Sequence, residues 1–138
     1  LFLKDQPKIL LAGNQTIPKE IRTLLFGETC GFVPAPPFQC YKEMDRIERD
    51  CVKYLNENPG YTIIVTSCGV AGTALQKRLY KQFDNIFMFD FGSLMDAITE
   101  AWLLDPNTIK RAWIEICDFD KDLFIREFRR IESERDDQ

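Results

Sequence analysis

The sequence predicts an α/β domain of the Rossmann-like class, a three-layer sandwich in which helices cover both faces of a mostly parallel sheet. Short apolar segments typical of strands alternate with segments of helical periodicity, and the connections between them are short. The most apolar strand segment, in residues 61–69, lacks the alternation of a one-sided sheet. Strands of that kind are buried on both faces, which favours a parallel sheet between two layers of helices.

Composition and charge limit the kind of protein. The length of 138 residues fits one domain spanning 1–138, with flexible ends expected at 1–7 and 132–138. A hydrophobic content of 45% argues against disorder, and a net charge of −4 gives no electrostatic reason to expect nucleic acid. No apolar run approaches the roughly 18 residues of a membrane span, and we expect a cytoplasmic location. Because the chain begins without methionine, we expect it to be a piece of a longer chain.

The cysteines do not form a metal-binding motif. There are five, without C-x-x-C spacing, and the chain has no histidine. Zinc would need thiolates from scattered positions, so free thiols in a reducing compartment are the simpler interpretation. The absence of histidine excludes Ser–His and Cys–His nucleophile pairs. Cys68 precedes a predicted helix, a position that can lower the pKa of a thiol.

The first half of the chain predicts two strands and two helices. Residues 8–13 (KILLAG) form a buried strand, and residues 14–27 contain a helix with Thr16 as N-cap and Gly27 as its end. Residues 30–38 (CGFVPAPPF) are rich in proline and form at most a short strand. Residues 39–60 have the most regular helical pattern, with one apolar face formed by Tyr41, Met44, Ile47, Cys51, Val52 and Leu55.

The second half continues the alternation. We predict a strand in 61–69, a helix in 71–83, a strand in 85–92 and a helix in 93–104, followed by one or two amphipathic pieces. Ser93 is the expected cap of the last helix, whose apolar face consists of Leu94, Ala97, Ile98 and Ala101. The carboxyl ends of parallel strands meet at one edge, where such sheets bind ligands. Gly13, Asn14, the 67–72 loop and residues 90–93 should therefore share one rim.

Residues 62–75, TIIVTSCGVAGTAL, pass from strand to helix through small residues. The free N–H groups of this loop and the helix dipole would face the crevice at the sheet edge. Gly69, Val70 and Gly72 would let an anion approach the backbone, and the hydroxyl of Ser67 would add a donor. The G-x-x-G spacing is not the full dinucleotide fingerprint. The turn and close helix–sheet packing explain the glycines equally well, and the sequence leaves both interpretations open.

Asp90 ends an apolar strand in the segment MFDFGSLMDAI. A carboxylate at this position can hold a metal ion or a ribose hydroxyl, or it can cap the following helix, and both roles remain open. Gly92 and Ser93 lie beside it, whereas Asp96 fits a solvated helix position. The letters DFG match the kinase magnesium motif, but the other kinase motifs are absent. The acidic run in 118–122 lacks the glycine of a calcium loop.

Three segments together resemble the C-terminal, Rossmann-like half of the GT-D type glycosyltransferase domain. They are NQTIPKEI (14–21), YTIIVTSCGVAGTALQKRLYKQ (61–82) and NIFMFDFGSLMDAI (85–98). That family has a strand entering a loop of the form S-x-G-x-x-a, then a helix, then a strand ending in D-[IVF]-G. The resemblance covers residues 8 to 104.

The resemblance implies a metal-dependent enzyme that transfers a sugar from a nucleotide-sugar donor. It places Ser67, Gly69 and Gly72 at the donor phosphate, and Asp90 and Gly92 at the opposite lip, with Mn²⁺ or Mg²⁺ as the cofactor and Asp90 as its ligand. The arginine- and acid-rich N-terminal half of the family has no counterpart before residue 8, and Ser93 stands where the family often has a histidine. The alternative is a non-catalytic Rossmann-like module that binds a ligand or a partner.

Overall fold

The structure, a computed structural model, describes residues 8–102 together with Leu3, Gln6, Arg126 and Arg130. In chain order the elements are β1 (Ile9–Asn14), α1 (Lys19–Phe26), β2 (Gly31–Ala35), a 3-10 helix (Cys40–Glu43), α2 (Met44–Glu57), β3 (Thr62–Ser67), α3 (Val70–Leu79), β4 (Ile86–Asp90) and α4 (Ser93–Trp102). The predictions for the two ends of the chain and for the segment after residue 104 concern mainly residues outside this set.

The strands form one parallel sheet in the order β2-β1-β3-β4. β1 and β3 lie in the centre, and their register pairs Gly13 with Ser67. From β1 the chain passes through α1 to β2 at one edge of the sheet, and then through α2 to β3 on the other side of β1. The strand order therefore reverses between β1 and β3, which is the switch point of an open α/β sheet. The predicted α/β fold with a parallel sheet is confirmed.

Helices cover both faces of the sheet and give three layers. On one face α2 and α3 pack against Leu10 and Ala12 of β1, and on the other α1 and α4 pack against Ile9 and Leu11. The alternation of side chains along a strand sends neighbouring residues to opposite faces. Every residue of β3 is buried, as its continuous apolar run predicted.

The boundaries of α1 differ from the prediction at one end. The helix begins at Lys19 with Pro18 at the N-cap position. Thr16 does not cap it, because its backbone N–H and its hydroxyl both donate to Asn14 Oδ1, at 3.0 and 2.9 Å. Gly27 ends the helix as predicted, with a φ of 89° that favours glycine.

Two side chains predicted to point inward are exposed. Tyr41 is 66% exposed because it lies in the 3-10 helix, whose repeat of three residues moves it off the apolar face of α2. Leu94 is 43% exposed and Met95 lies in the core instead, beside Ile98, which is buried as predicted. The predicted apolar face of α4 was therefore wrong at Leu94 and right at Ile98.

Both outer strands carry a feature that interrupts their free backbone edge. The ladder with β3 leaves the N–H of Met88 on the outer side of β4, where it donates to the hydroxyl oxygen of Tyr80 at 2.9 Å. On the outer side of β2, Pro34 has no N–H, and its carbonyl accepts a hydrogen bond from the Arg46 guanidinium at 2.9 Å. Such features discourage pairing with another strand.

Candidate functional site

A crevice with a volume of about 630 Å³ opens at the carboxyl ends of the central strands, beside the point where the strand order reverses. Its walls come from the ends of β1 and β3, from the connection between β2 and α2, and from α3 and the first turn of α4. Open α/β sheets bind their ligands at this position. The crevice is therefore the candidate site.

The crevice brings together some of the predicted site residues and leaves others outside. Asn14, Ser67, Gly69 and Val70 line it. The other predicted residues lie nearby but are not part of its lining, namely Gly13, Gly72, Asp90, Gly92 and Ser93. The predicted common rim exists, but only its β1 and β3 portions open into the crevice.

The turn at Gly69 leaves the start of α3 open. Gly69 is the N-cap residue, with φ 57° and ψ −144°, and no side chain caps the helix. A Cβ atom built on Gly69 would have no heavy atom within 4 Å, and Val70 is 92% exposed. The start of this ten-residue helix, with its positive dipole end, therefore borders accessible space, although the Gly72 N–H already donates to the Gly69 carbonyl at 2.9 Å. An anion can approach the backbone here.

Gly72 has a different role, because it faces the sheet. A Cβ atom at Gly72 would lie 3.0 Å from Thr66 Oγ1 and 3.2 Å from Thr66 Cβ. Any side chain here would push α3 away from β3. Of the two interpretations that the sequence left open, close helix–sheet packing describes Gly72, and the open anion-accessible turn describes Gly69.

Asp90 takes part in a chain of hydrogen bonds beside the crevice. Its Oδ1 accepts from the Gly92 N–H at 2.8 Å and from the Thr66 hydroxyl at 3.3 Å. Gln76 Nε2 in turn donates to Thr66 Oγ1 at 3.1 Å. The carboxylate thus fixes the turn between β4 and α4, and its capping of α4 stays a prediction. Its role as a metal ligand stays a prediction.

Two other predicted polar groups are also used within the protein. The Ser67 hydroxyl donates to the Gly92 carbonyl at 3.0 Å, and Gly92 has a φ of 52°. The side-chain oxygen of Asn14 accepts the two hydrogen bonds from Thr16. These side chains therefore shape the loops around the crevice.

The charges at the crevice are largely balanced. Arg78 Nη1 contacts Asp45 Oδ1 at 2.7 Å and Glu48 Oε2 at 2.8 Å. The hydrogen bond from Arg78 lowers the pKa of Asp45, and the two carboxylates raise the pKa of Arg78. Among the described residues that line the crevice, Arg78 is the only lysine or arginine, and Asp96 contributes a carboxylate. A multiply charged anion would therefore find little unpaired positive charge.

Cys40 and Cys68 lie in the crevice wall, where the Cys40 thiol donates to the Pro36 carbonyl at 2.8 Å and the Cys68 thiol donates to the Ala12 carbonyl at 3.1 Å. Burial raises the pKa of Cys68 to about 12, although its Sγ lies just before α3. The idea that the helix start lowers this pKa is wrong, because the cost of desolvating a thiolate outweighs the dipole. Both thiols are therefore neutral at physiological pH and are poor nucleophiles.

Sequence reasoning missed the contribution of the connection between β2 and α2. Phe38 is 82% exposed and Tyr41 66% exposed, and both line the crevice. Phe38, Tyr41 and Val70 together form the apolar rim of the crevice. Knowledge of the strand order would have identified Phe38 and Tyr41, since the carboxyl end of β2 lies at the same edge of the sheet as the crevice. That order is not readable from the sequence.

Neither a conventional metal centre nor a membrane span is seen in the part of the chain that the structure describes. No group of three or more His, Cys, Asp or Glu side chains among residues 8–102 and the four others is arranged to hold a metal ion. None of the described helices is long and apolar enough to cross a bilayer.

Comparisons with protein-family models, with curated proteins and with solved structures give no match to this chain. The resemblance to the GT-D type glycosyltransferase domain therefore stays a prediction. The fold and the crevice define a class, an α/β Rossmann-like domain with a ligand-sized cavity at its switch point.

Proposed function

We propose that the chain binds the phosphate-bearing part of a nucleotide-sugar in the switch-point crevice, as the donor-binding half of a glycosyltransferase. The observation that carries this proposal is the uncapped start of α3. Gly69 presents it to the cavity with open space above its backbone. Backbone N–H groups at a helix start bind phosphate without any cationic side chain.

The shape and lining of the crevice support a ligand with a flat apolar part as well as an anionic end. The apolar rim borders the cavity, and aromatic side chains such as Phe38 and Tyr41 can pack against a planar ring. Ligand pockets of about 300–1,000 Å³ are typical for small organic molecules. The resemblance to the GT-D domain is what favours a nucleotide-sugar over other ligands of this kind.

The charge balance supports a requirement for a divalent cation. A diphosphate adds negative charge beside Asp96, while the charge of Arg78 is already used by two carboxylates. Mn²⁺ or Mg²⁺ bound to the phosphates would offset that charge and stabilise the leaving diphosphate. Asp96 is better placed than Asp90 to meet such an ion, because Asp96 lines the cavity and Asp90 does not.

The test uses thermal shift with UDP-sugars and GDP-sugars, each with and without Mn²⁺. We expect a rise in Tm that needs both the nucleotide and the metal ion. The variant Val70→Glu places a carboxylate at the first position of α3, which stabilises the helix by about 0.3–1 kcal/mol and repels phosphate. It should fold at least as well as the wild type and lose the nucleotide-dependent shift.

Val70→Gln is the matched control, since it has nearly the same shape without the charge. If both variants respond to nucleotide like the wild type, the start of α3 does not bind phosphate. Hydrolysis or transfer of the sugar, followed by chromatography of the released nucleotide, then tests the enzymatic part of the proposal separately from binding.

A non-catalytic binding module is the second candidate, and the apolar rim favours it. Phe38, Tyr41 and Val70 are all large, exposed hydrophobic residues at the mouth of one cavity. Exposed apolar patches often mark interaction sites. A complete lack of response to nucleotides and metal ions would favour this candidate.

A further inference from the structure

The connection between β2 and α2 contains a strained backbone turn in the wall of the crevice. Gln39 has a φ of 57° and a ψ of 36°, and in the described part of the chain no other residue except glycine has a positive φ. A glutamine rarely adopts this left-handed conformation, because its side chain makes it cost free energy. Strain of this kind clusters at ligand clamps and active sites. The turn at Gln39 is therefore a candidate functional feature.

The surrounding contacts hold the turn in this conformation. Two consecutive prolines with fixed φ angles, Pro36 and Pro37, precede it. The Cys40 thiol donates to the Pro36 carbonyl at 2.8 Å. The Lys42 N–H donates to the Gln39 carbonyl at 2.9 Å. Because Cys40 is buried in the core and Gln39 is exposed, the turn is anchored from within the fold and presents its strained residue to solvent.

The turn also combines a polar group with two aromatic rings in one cavity. Phe38 and Tyr41 flank Gln39 in the chain, all three line the crevice, and both rings are largely exposed. The side-chain amide of Gln39 does not cap the 3-10 helix and has no hydrogen-bond partner among the described residues. A glutamine amide offers a donor and an acceptor side by side. This wall therefore provides flat apolar surfaces and an amide that can bind a ligand.

A nucleobase has the chemistry that this wall fits. Its faces stack on aromatic rings, and its edge carries hydrogen-bonding groups at neighbouring positions. In uracil and in guanine a ring N–H lies beside a carbonyl oxygen. This pair of groups is complementary to the oxygen and the nitrogen of a glutamine amide.

We propose that Gln39 selects the nucleobase by hydrogen bonding to its edge, while the rings of Phe38 and Tyr41 contact its face. The strained turn is retained because it holds the amide at the cavity. This inference rests on the proposed function, since the base belongs to the nucleotide whose phosphates we place at the start of α3. It adds the residue that determines which base is accepted.

The test is an NMR titration with nucleosides, which carry the base but no phosphate. We expect the wild type to bind uridine or guanosine roughly three- to tenfold more tightly than the analogue methylated at the ring N–H, 3-methyluridine or 1-methylguanosine. Gln39→Met keeps the length of the side chain without the amide, so it should bind both members of a pair equally. Phe38→Ala should weaken both roughly fivefold or more. Tyr61→Ala is the matched control, because Tyr61 is exposed at the amino end of β3, away from the crevice.

Gln39→Gly separates this role from a purely structural one. Glycine adopts a positive φ without strain, so Tm should rise by roughly 2–4 °C while the preference for the unmethylated nucleoside is lost. A Tm that does not rise would contradict the strain on which the inference is based. A variant that gains stability and keeps the preference would show that the Gln39 amide is not used.

Other outcomes distinguish this inference from the phosphate site. The preference for unmethylated nucleosides without any response to UDP-sugars or GDP-sugars would support the base site and refute the phosphate site. A response to nucleotide-sugars without that preference, or with the preference intact in Gln39→Met, would overturn the role of Gln39 alone. Failure of the wild type to bind any of the nucleosides would overturn it as well.

Discussion

The substitution Gly72→Ala tests how closely α3 is packed against the sheet. The new Cβ would lie 3.0 Å from Thr66 Oγ1 and 3.2 Å from Thr66 Cβ, shorter than the usual contact of about 3.5–4.0 Å. Thr66 cannot easily move away, since it is fully buried on a central strand and its hydroxyl is hydrogen-bonded to Gln76 and Asp90. The strain must therefore be taken up by α3 or by the hydrogen-bond chain.

Two effects of opposite sign determine the size of the change. Alanine is favoured over glycine in a helix by up to about 1 kcal/mol. Overpacking a close contact costs about 1–3 kcal/mol. We expect Gly72→Ala to lower the free energy of unfolding by about 1–2 kcal/mol. Gly72→Val should lower it by about 3 kcal/mol, because its two further methyl groups crowd the same contact and its β-branch disfavours the helix.

Urea unfolding followed by circular dichroism measures these changes, and a double-mutant cycle locates their cause. Thr66→Ala removes the oxygen atom of the shortest contact, so the cost of Gly72→Ala should fall by about 1 kcal/mol in that background. An unchanged cost would refute the proposed contact. So would a Gly72→Ala variant that is more stable than the wild type, since helix propensity would then be the only effect.

Three further substitutions test the surroundings of the crevice and the sheet edge. Asp90→Ala removes the acceptor of two hydrogen bonds and should lower the free energy of unfolding in urea by about 1 kcal/mol. An unchanged midpoint would show that these two hydrogen bonds do not stabilise the fold. Arg78→Met should lower Tm slightly at low salt. The hydrogen bond from Arg78 lowers the pKa of Asp45, so the stabilisation by this ion pair is complete above the ordinary pKa of 3.8 and is lost as the pH falls through the lowered pKa of Asp45. A difference in Tm between the variant and the wild type that persists in strong acid would contradict this explanation. Tyr80→Phe leaves the outward N–H of Met88 without its acceptor and should increase concentration-dependent association in sedimentation velocity, and an unchanged monomer would speak against edge protection.

The general fold could be predicted because the strongest patterns in the sequence are those that the tertiary structure also requires. β3 is apolar at successive positions because helices cover both of its sides, and α2 has a regular apolar face because that face packs on the sheet. Errors arose where a local change of geometry shifted the pattern. Tyr41 is exposed because a 3-10 helix precedes α2. The proline-rich segment, by contrast, forms the short strand that was expected, and Pro34 is tolerated there because β2 is an edge strand.

The candidate site was only partly predictable, because its shape depends on the order of the strands. The sequence identified the turn at Gly69 by its small residues, and this turn does line the crevice. It could not show that the segment after β2 faces that turn across β1. Nor could spacing separate the two roles of Asp90, since capping and metal binding favour a carboxylate at the same strand end.

The position of the crevice on β1 and β3 has a consequence for how a ligand would be received. These innermost strands are hydrogen-bonded on both sides and covered by helices above and below. Their backbone amides should be among the slowest to exchange with deuterium, and the turns that continue them should be held nearly rigid. A molecule entering between those turns would meet a preorganised surface, and little binding energy would go into ordering the protein around it.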